Sequence, residues 1–408
     1  MKNLKEKEPM GSMSEVTRKV YEITEDLRRD LLSGKIKEIK SRELDGLYGE
    51  LFGHYKKNLS KIESEVKGKK VRIQYYGPST VPINFVEFSK KMALYADVLL
   101  FHDPFEVPLY VSHKISSRWL TSALRNASIS LENLRSLAEK GMLALFPAAI
   151  RWNEEIERGF GEISMRDAEI IKMGISEVDI KNCMEFNKII YSPEEIERRG
   201  GLRNTAVETL TVGCAVEVNK ALISSKYFNS ELATDSNLQW KGFNSILEKR
   251  SPKTSTSINA QALGSIELPF LQDANFKTIL NVREEHADVF ETWREGWRDA
   301  CSGLERITDS GEFNEELKRI RFDIIDPNLK KIDKWRGAVR PLGGIFKGLG
   351  AVPVTLGAFF GNLSLGLIGA AFVEPLALEY GKDLARWLID NAMRRNFVYF
   401  LWKVKEAS

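Results

Sequence analysis

Three observations predict a helix-rich α+β fold with a small α/β unit and a helical C-terminal module. Long charged segments repeat apolar residues at helical spacing. Three short apolar runs near residues 69–150 alternate with helical stretches, the pattern of strands joined by crossover helices. Gly348 to Val373 (GLGAVPVTLGAFFGNLSLGLIGAAFV) holds no Asp, Glu, Lys, Arg or His in a chain that is 29% charged. Four regions follow. Residues 1–12 read as a disordered tail or an appended junction. Residues 13–150 read as a helical entry plus the α/β unit, 151–270 as a mixed middle region, and 271–408 as a helical module built on an apolar Gly-rich hairpin at 348–373.

The entry is helical because Val20, Ile23, Leu27 and Leu31 share one face, with charged residues opposite and Gly34 as a stop. A second helix is expected over Ser41–Val66. Lys70–Tyr76 alternates and ends at Gly77-Pro78, a strand and turn. Phe85–Ala96 reads as helix. Asp97–Phe101 and Met142–Phe146 are apolar runs suited to buried strands. Between them, Ser130 is the expected N-cap of a helix that closes before Gly141. Ser192-Pro193-Glu194-Glu195 starts a helix and Arg199-Gly200-Gly201 ends it. Ala206–Ser224 reads as an apolar-rich helix, and Lys249–Ser257 as a linker. Residues 276–307 carry the clearest helical face, with Val289, Phe290, Trp293, Trp297 and Leu304 aligned; a further helix is expected near Asn314–Ile325.

The uncharged stretch is long enough to cross about 30 Å of hydrocarbon, which takes roughly 20 residues. Pro353 and Gly361-Asn362 divide it into two short halves, the shape of a buried or re-entrant hairpin. Burial in the protein's own core, conditional insertion into a membrane or assembly, and a permanent span all stay open. Phe359, Phe360, Leu367, Ile368 and Trp402 are the candidate membrane or partner contacts. Nine Lys/Arg against three acidic residues between Lys318 and Lys347 make the segment before the stretch basic. Lys330, Lys331, Lys334, Arg336, Arg340 and Lys347 are the candidates for touching lipid phosphate or nucleic acid. Candidate partners are an anionic membrane surface and a protein or second copy of the chain. Nucleic acid has no support beyond that basic segment, and the net charge of +3 argues neither for nor against it.

Three isolated cysteines form neither a disulfide framework nor a metal motif, and Met1–Pro9 has no signal-peptide apolar core. The expected place is the cytoplasm, peripheral to or inserted in the inner membrane. The densest polar cluster is His102, Asp103, Glu106 and His113, at a strand end where α/β folds place ligands and metals. Together they could serve a metal-dependent hydrolase or nuclease, although the spacing matches no standard metal motif, and Pro104 and Pro108 predict an extended loop. His286, beside Glu284 and Glu285, and the Trp293/Trp297 pair with Arg294 and Arg298 read more readily as helix packing. No phosphate loop, nucleophile elbow or cofactor motif is present, and no cofactor is predicted.

Three phrases resemble uncharacterised prokaryotic proteins, some from mobile or defence-related gene neighbourhoods. They are Leu94-Tyr95-Ala96-Asp97 with the run into Asp103-Pro104, Arg283-Glu284-Glu285 with Phe290 and Arg294, and Asn396-Phe397 with Tyr399–Lys403. The resemblance implies a host-defence or toxin-like setting and assigns no catalytic residue. The favoured function is a non-enzymatic effector whose apolar hairpin inserts into a membrane or assembly; the hydrolase and a soluble scaffold with the hairpin in its core are the alternatives.

Overall fold

The computed structural model describes residues 13–76, 85–147, 165–234, 236, 238–240, 242–243, 258–304, 307, 310–334, 393–394 and 396–408. The hairpin at 348–373, the linker at 249–257 and the tail at 1–12 lie outside the described residues.

The fold is a small parallel sheet wrapped in helices. Its strands are β1 (Arg72–Tyr75), β2 (Val98–His102), β3 (Leu143–Phe146) and β4 (Glu231–Ala233), in the order β3-β2-β1-β4, all parallel. The first three fall on the three predicted runs. The fourth comes from the region expected to be mixed, because three residues, Glu231-Leu232-Ala233, are too few to show a pattern.

The entry helices are α1 (Glu15–Ile23), α2 (Glu25–Leu32) and α3 (Asp45–Lys67). The first two were expected as one; Thr24 separates them at ψ −1°, and its hydroxyl bonds back to the Val20 carbonyl at 2.8 Å. Helix α1 lies along the outer edge of β3. There the Thr17 hydroxyl accepts from the Leu145 amide at 3.1 Å and donates to the Leu143 carbonyl at 3.4 Å. That side chain does for an edge strand what a neighbouring strand would do.

Helix α4 (Phe85–Ala93) connects β1 to β2, and α5 (Glu106–Tyr110) and α6 (Ser117–Glu139) connect β2 to β3. Two expectations are corrected here. Pro108 sits inside the first turn of α5 rather than in an extended loop; a first turn tolerates Pro because its amides have no intrahelical partner. Ser130 is not an N-cap: α6 starts at Ser116, whose hydroxyl accepts from the Trp119 amide, and Ser130 bonds back to Asn126 from mid-helix.

Helices α7 (Met165–Met173), α8 (Glu177–Ile190), α9 (Pro193–Arg198) and α10 (Leu202–Phe228) lead to β4. Ser192 caps α9 as expected, its hydroxyl oxygen accepting from the Glu195 amide. Helix α10 crosses one face of the sheet, where Gln74 donates to the Ser224 hydroxyl at 2.6 Å. Helices α4, α6 and α11 (Ile258–Ser265) lie on the other side, where Tyr75 packs on Phe88 and Phe101.

The long aromatic helix divides at His286 (φ −131°, ψ 48°) into α12 (Phe276–Glu285) and α13 (Ala287–Cys301). His286 is therefore the joint between two helices rather than a packing residue inside one. Helix α14 (Ser310–Arg319) runs through a π-helical segment, Ile320–Ile325, into α15 (326–334). The chain ends in α16 (Tyr399–Ala407), with Tyr399, Phe400, Leu401, Trp402 and Val404 buried.

The three phrases singled out in the sequence meet in space. Arg283 donates to the Ala93 and Ala96 carbonyls, Trp293 to the Leu94 carbonyl, and Arg294 to the Tyr95 carbonyl and the Asp97 carboxylate, each at 2.7 Å. Phe397 stacks on Trp293 with planes 3° apart, and Phe400 meets Phe290 edge-on. A turn leading from α4 into β2 has carbonyls that must be paired if it is buried. Helices α12 and α13 pair them from almost two hundred residues away.

Candidate functional site

The predicted polar cluster lies where β2 ends, and the structure divides it. His102 is the last residue of β2, half-buried, with its ring edge-on to Phe146 of β3 at 4.4 Å. Burial, then the Lys220 ammonium on α10, lowers its pKa to about 3, so the imidazole is neutral near pH 7.

Asp103 is 1% exposed. Its carboxylate accepts from the Phe105 amide at 2.9 Å and the Tyr55 hydroxyl at 3.0 Å. Those bonds hold the turn into α5. Burial outweighs both and raises its pKa to about 6. Glu106 opens α5 and is buried. His113 stands apart: it is exposed and pairs with Asp45 at 3.1 Å. Closeness in sequence failed here because α5 turns the chain between Glu106 and His113. Among the described residues no group of three His, Cys, Asp or Glu side chains could hold a metal ion. Cys214, the isolated thiol beside Gly213, is buried and pushed up to about 12, so it carries no thiolate near neutral pH.

The second candidate site flanks the uncharged stretch. Lys330, Lys331 and Lys334 are exposed on α15. Arg336, Arg340, Lys347, Phe359, Phe360, Leu367 and Ile368 lie outside the described residues. Trp402, expected at a membrane or partner face, is instead 3% exposed in the core, and its indole donates to Asp333 on α15 at 2.7 Å. The correction has a plain cause: α12 and α13 offer an apolar wall that covers the terminal aromatic run.

Asp333, Asn328 and Lys405, not singled out in the sequence, tie α15 to the terminal segment. Asp333 also takes Lys405 at 2.9 Å, and the Asn396 amide donates to Asn328 at 2.8 Å. The chain thus leaves at Lys334 from beside the place where it returns at Met393. One signal was present: Asp333 is an acidic residue inside a basic run.

Among the described residues no helix is long and apolar enough to cross a membrane. Comparison of the chain with protein-family models, with curated proteins and with solved structures finds no match.

Proposed function

We propose that this chain is a non-enzymatic effector that delivers the uncharged segment 348–373 to an anionic membrane surface, in a prokaryotic host-defence or toxin-like setting. It works from the cytoplasm, at the periphery of or inserted in the inner membrane. One observation carries the reading. Both flanks of residues 335–392 are held at a common base by the Asp333–Trp402, Asp333–Lys405 and Asn328–Asn396 bonds. A segment tied at both ends to a folded body can change its surroundings without unfolding that body. The uncharged composition supplies the driving force, at about 25 cal/mol for each Å² of apolar surface removed from water. Lys330, Lys331 and Lys334 sit at the base, and each basic residue near an anionic leaflet contributes about 1 kcal/mol.

Flotation with vesicles of anionic phospholipid tests the proposal. The comparison variant replaces residues 345–385 with a short Gly-Ser linker, which keeps α16 in the core; ending the chain at Arg340 would remove Trp402 and unfold it. Full-length protein is expected to float and the replacement variant to stay down. Equal behaviour of the two overturns the proposal. The metal-dependent hydrolase built on His102 and Asp103 ranks second, since its fourth member, His113, pairs with Asp45.

A further inference from the structure

A row of side chains crosses the sheet at the carboxyl ends of its strands. The register pairs Gln74 with Leu100 and with Leu232, and His102 with Phe146. Two residues beyond Gln74, Tyr76 comes level with His102 on one side and Thr234 on the other; its amide still bonds to the Ala233 carbonyl at 2.9 Å. Side chains at equal register share a face. Gln74 faces α10, because it bonds to Ser224, so His102 and Tyr76 face α10 as well.

The helix brings charge to the same level. Helix α10 descends toward β4 while the strands rise. Four residues back from Ser224 is about 6 Å of helix, and two residues on from Gln74 is about 7 Å of strand. Lys220 therefore stands over the row, and Glu217 holds it at 3.3 Å, with both side chains partly exposed. This edge is also where the strand order reverses, since β2 and β3 lie on one side of β1 and β4 on the other. Open α/β sheets bind ligands outside such a reversal.

One group in the row is unmet. Tyr76 is 2% exposed, and its hydroxyl has no hydrogen-bond partner among the described residues. Its neighbours are already engaged: Gln74 with Ser224 and Ser230, and Thr234 with Gln239 and Gln261. A buried hydroxyl without a partner costs about 1–3 kcal/mol. His102 brings a ring N–H to the same level, and Lys220 brings an ammonium that Glu217 holds from one side. A single acceptor with negative charge would satisfy the hydroxyl and draw on both other donors. Glu217 keeps the local charge low, which favours a compact anion over a polyanion.

We propose that this edge of the sheet, under α10, binds the oxyanion of a small-molecule ligand, a phosphate or a carboxylate, with Tyr76, His102 and Lys220 as donors. The site is independent of the membrane reading and stands or falls without it.

Isothermal titration calorimetry on the full chain tests it, with inorganic phosphate, a nucleoside monophosphate and succinate as probes. Binding by the first two places a phosphate in the site, and binding by succinate a carboxylate. Tyr76→Phe and Lys220→Met are each expected to weaken the probe that binds at least tenfold. Tyr76→Phe is also expected to melt at or above the wild-type temperature, because its hydroxyl gives up no internal bond. Failure of every probe to bind at millimolar concentration overturns the proposal. So does unchanged affinity in both variants, or a lower melting temperature for Tyr76→Phe, which would mean that the hydroxyl is already used inside the fold.

Discussion

Two adjacent residues should oppose each other in their effect on stability with pH. The His102 imidazole is lowered from 6.5 to about 3, and the Asp103 carboxyl is raised from 3.8 to about 6. Between about pH 3 and 6.5 the unfolded chain holds a proton on His102 that the folded chain lacks, so stability falls as pH falls. Between 3.8 and about 6 the folded chain holds a proton on Asp103 that the unfolded chain lacks, so stability falls as pH rises. Each contributes a slope of about 1.4 kcal/mol per pH unit, and from 3.8 to 6 the slopes cancel. Asp103→Asn removes one of them and keeps a polar partner for both Phe105 and Tyr55. Its stability relative to wild type should rise by about 3 kcal/mol from pH 3.8 to 6. His102→Gln should do the reverse, gaining about 3 kcal/mol on wild type from pH 6.5 down to 4. Urea denaturation at half-unit steps of pH measures both. Differences from wild type that stay flat across the range would refute the burial argument for these two groups.

Two further outcomes rest on packing. Thr17→Val should cost about 1–3 kcal/mol, because it leaves the buried Leu145 amide unpaired at the edge of β3; faster hydrogen exchange at Leu145 would mark the cause, and unchanged exchange would contradict it. Gly296→Ala should cost at least about 1–3 kcal/mol, because its new methyl group would overlap Phe397. Displacement of Phe397 from the Trp293 ring should appear in the near-ultraviolet circular dichroism, and an unchanged spectrum would contradict the overlap.

Much of this architecture was legible in the sequence where the signal is local. The segment at 70–76 showed as a strand by its alternation, and those at 97–101 and 142–146 by apolar runs that suit a parallel sheet covered on both faces. Breaks inside helical patterns were not legible. Thr24 and His286 interrupt their helices through backbone angles that periodicity does not record. Ser130 misled because a Ser that caps a helix and a Ser that bonds back within one look alike in sequence. At the site, the strand end marked His102 and Asp103 correctly as neighbours of an edge. It could not bring in Tyr76 and Lys220, whose proposed common level is argued from strand register and the rise of α10. His113 was grouped by nearness along the chain, and α5 carries it to Asp45 instead.

The pairing of the turn at 93–97 by Arg283, Trp293 and Arg294, backed by Phe397 and Phe400, also has a consequence for synthesis. A ribosome adding about 5–20 residues per second needs roughly 15–60 s to pass from that turn to the terminal aromatic residues. For about the first two thirds of that interval the carbonyls of the turn wait for Arg283, Trp293 and Arg294, and for the rest the apolar wall of α13 waits for Phe397 and Phe400. The uncharged stretch leaves the ribosome shortly before α16, so for a brief period it is outside while the piece that closes its base is still in the exit tunnel. Slow codons or a chaperone pause in that window would act on the nascent chain at its most adhesive moment, and a chain released early would lack the helix that ties the base shut.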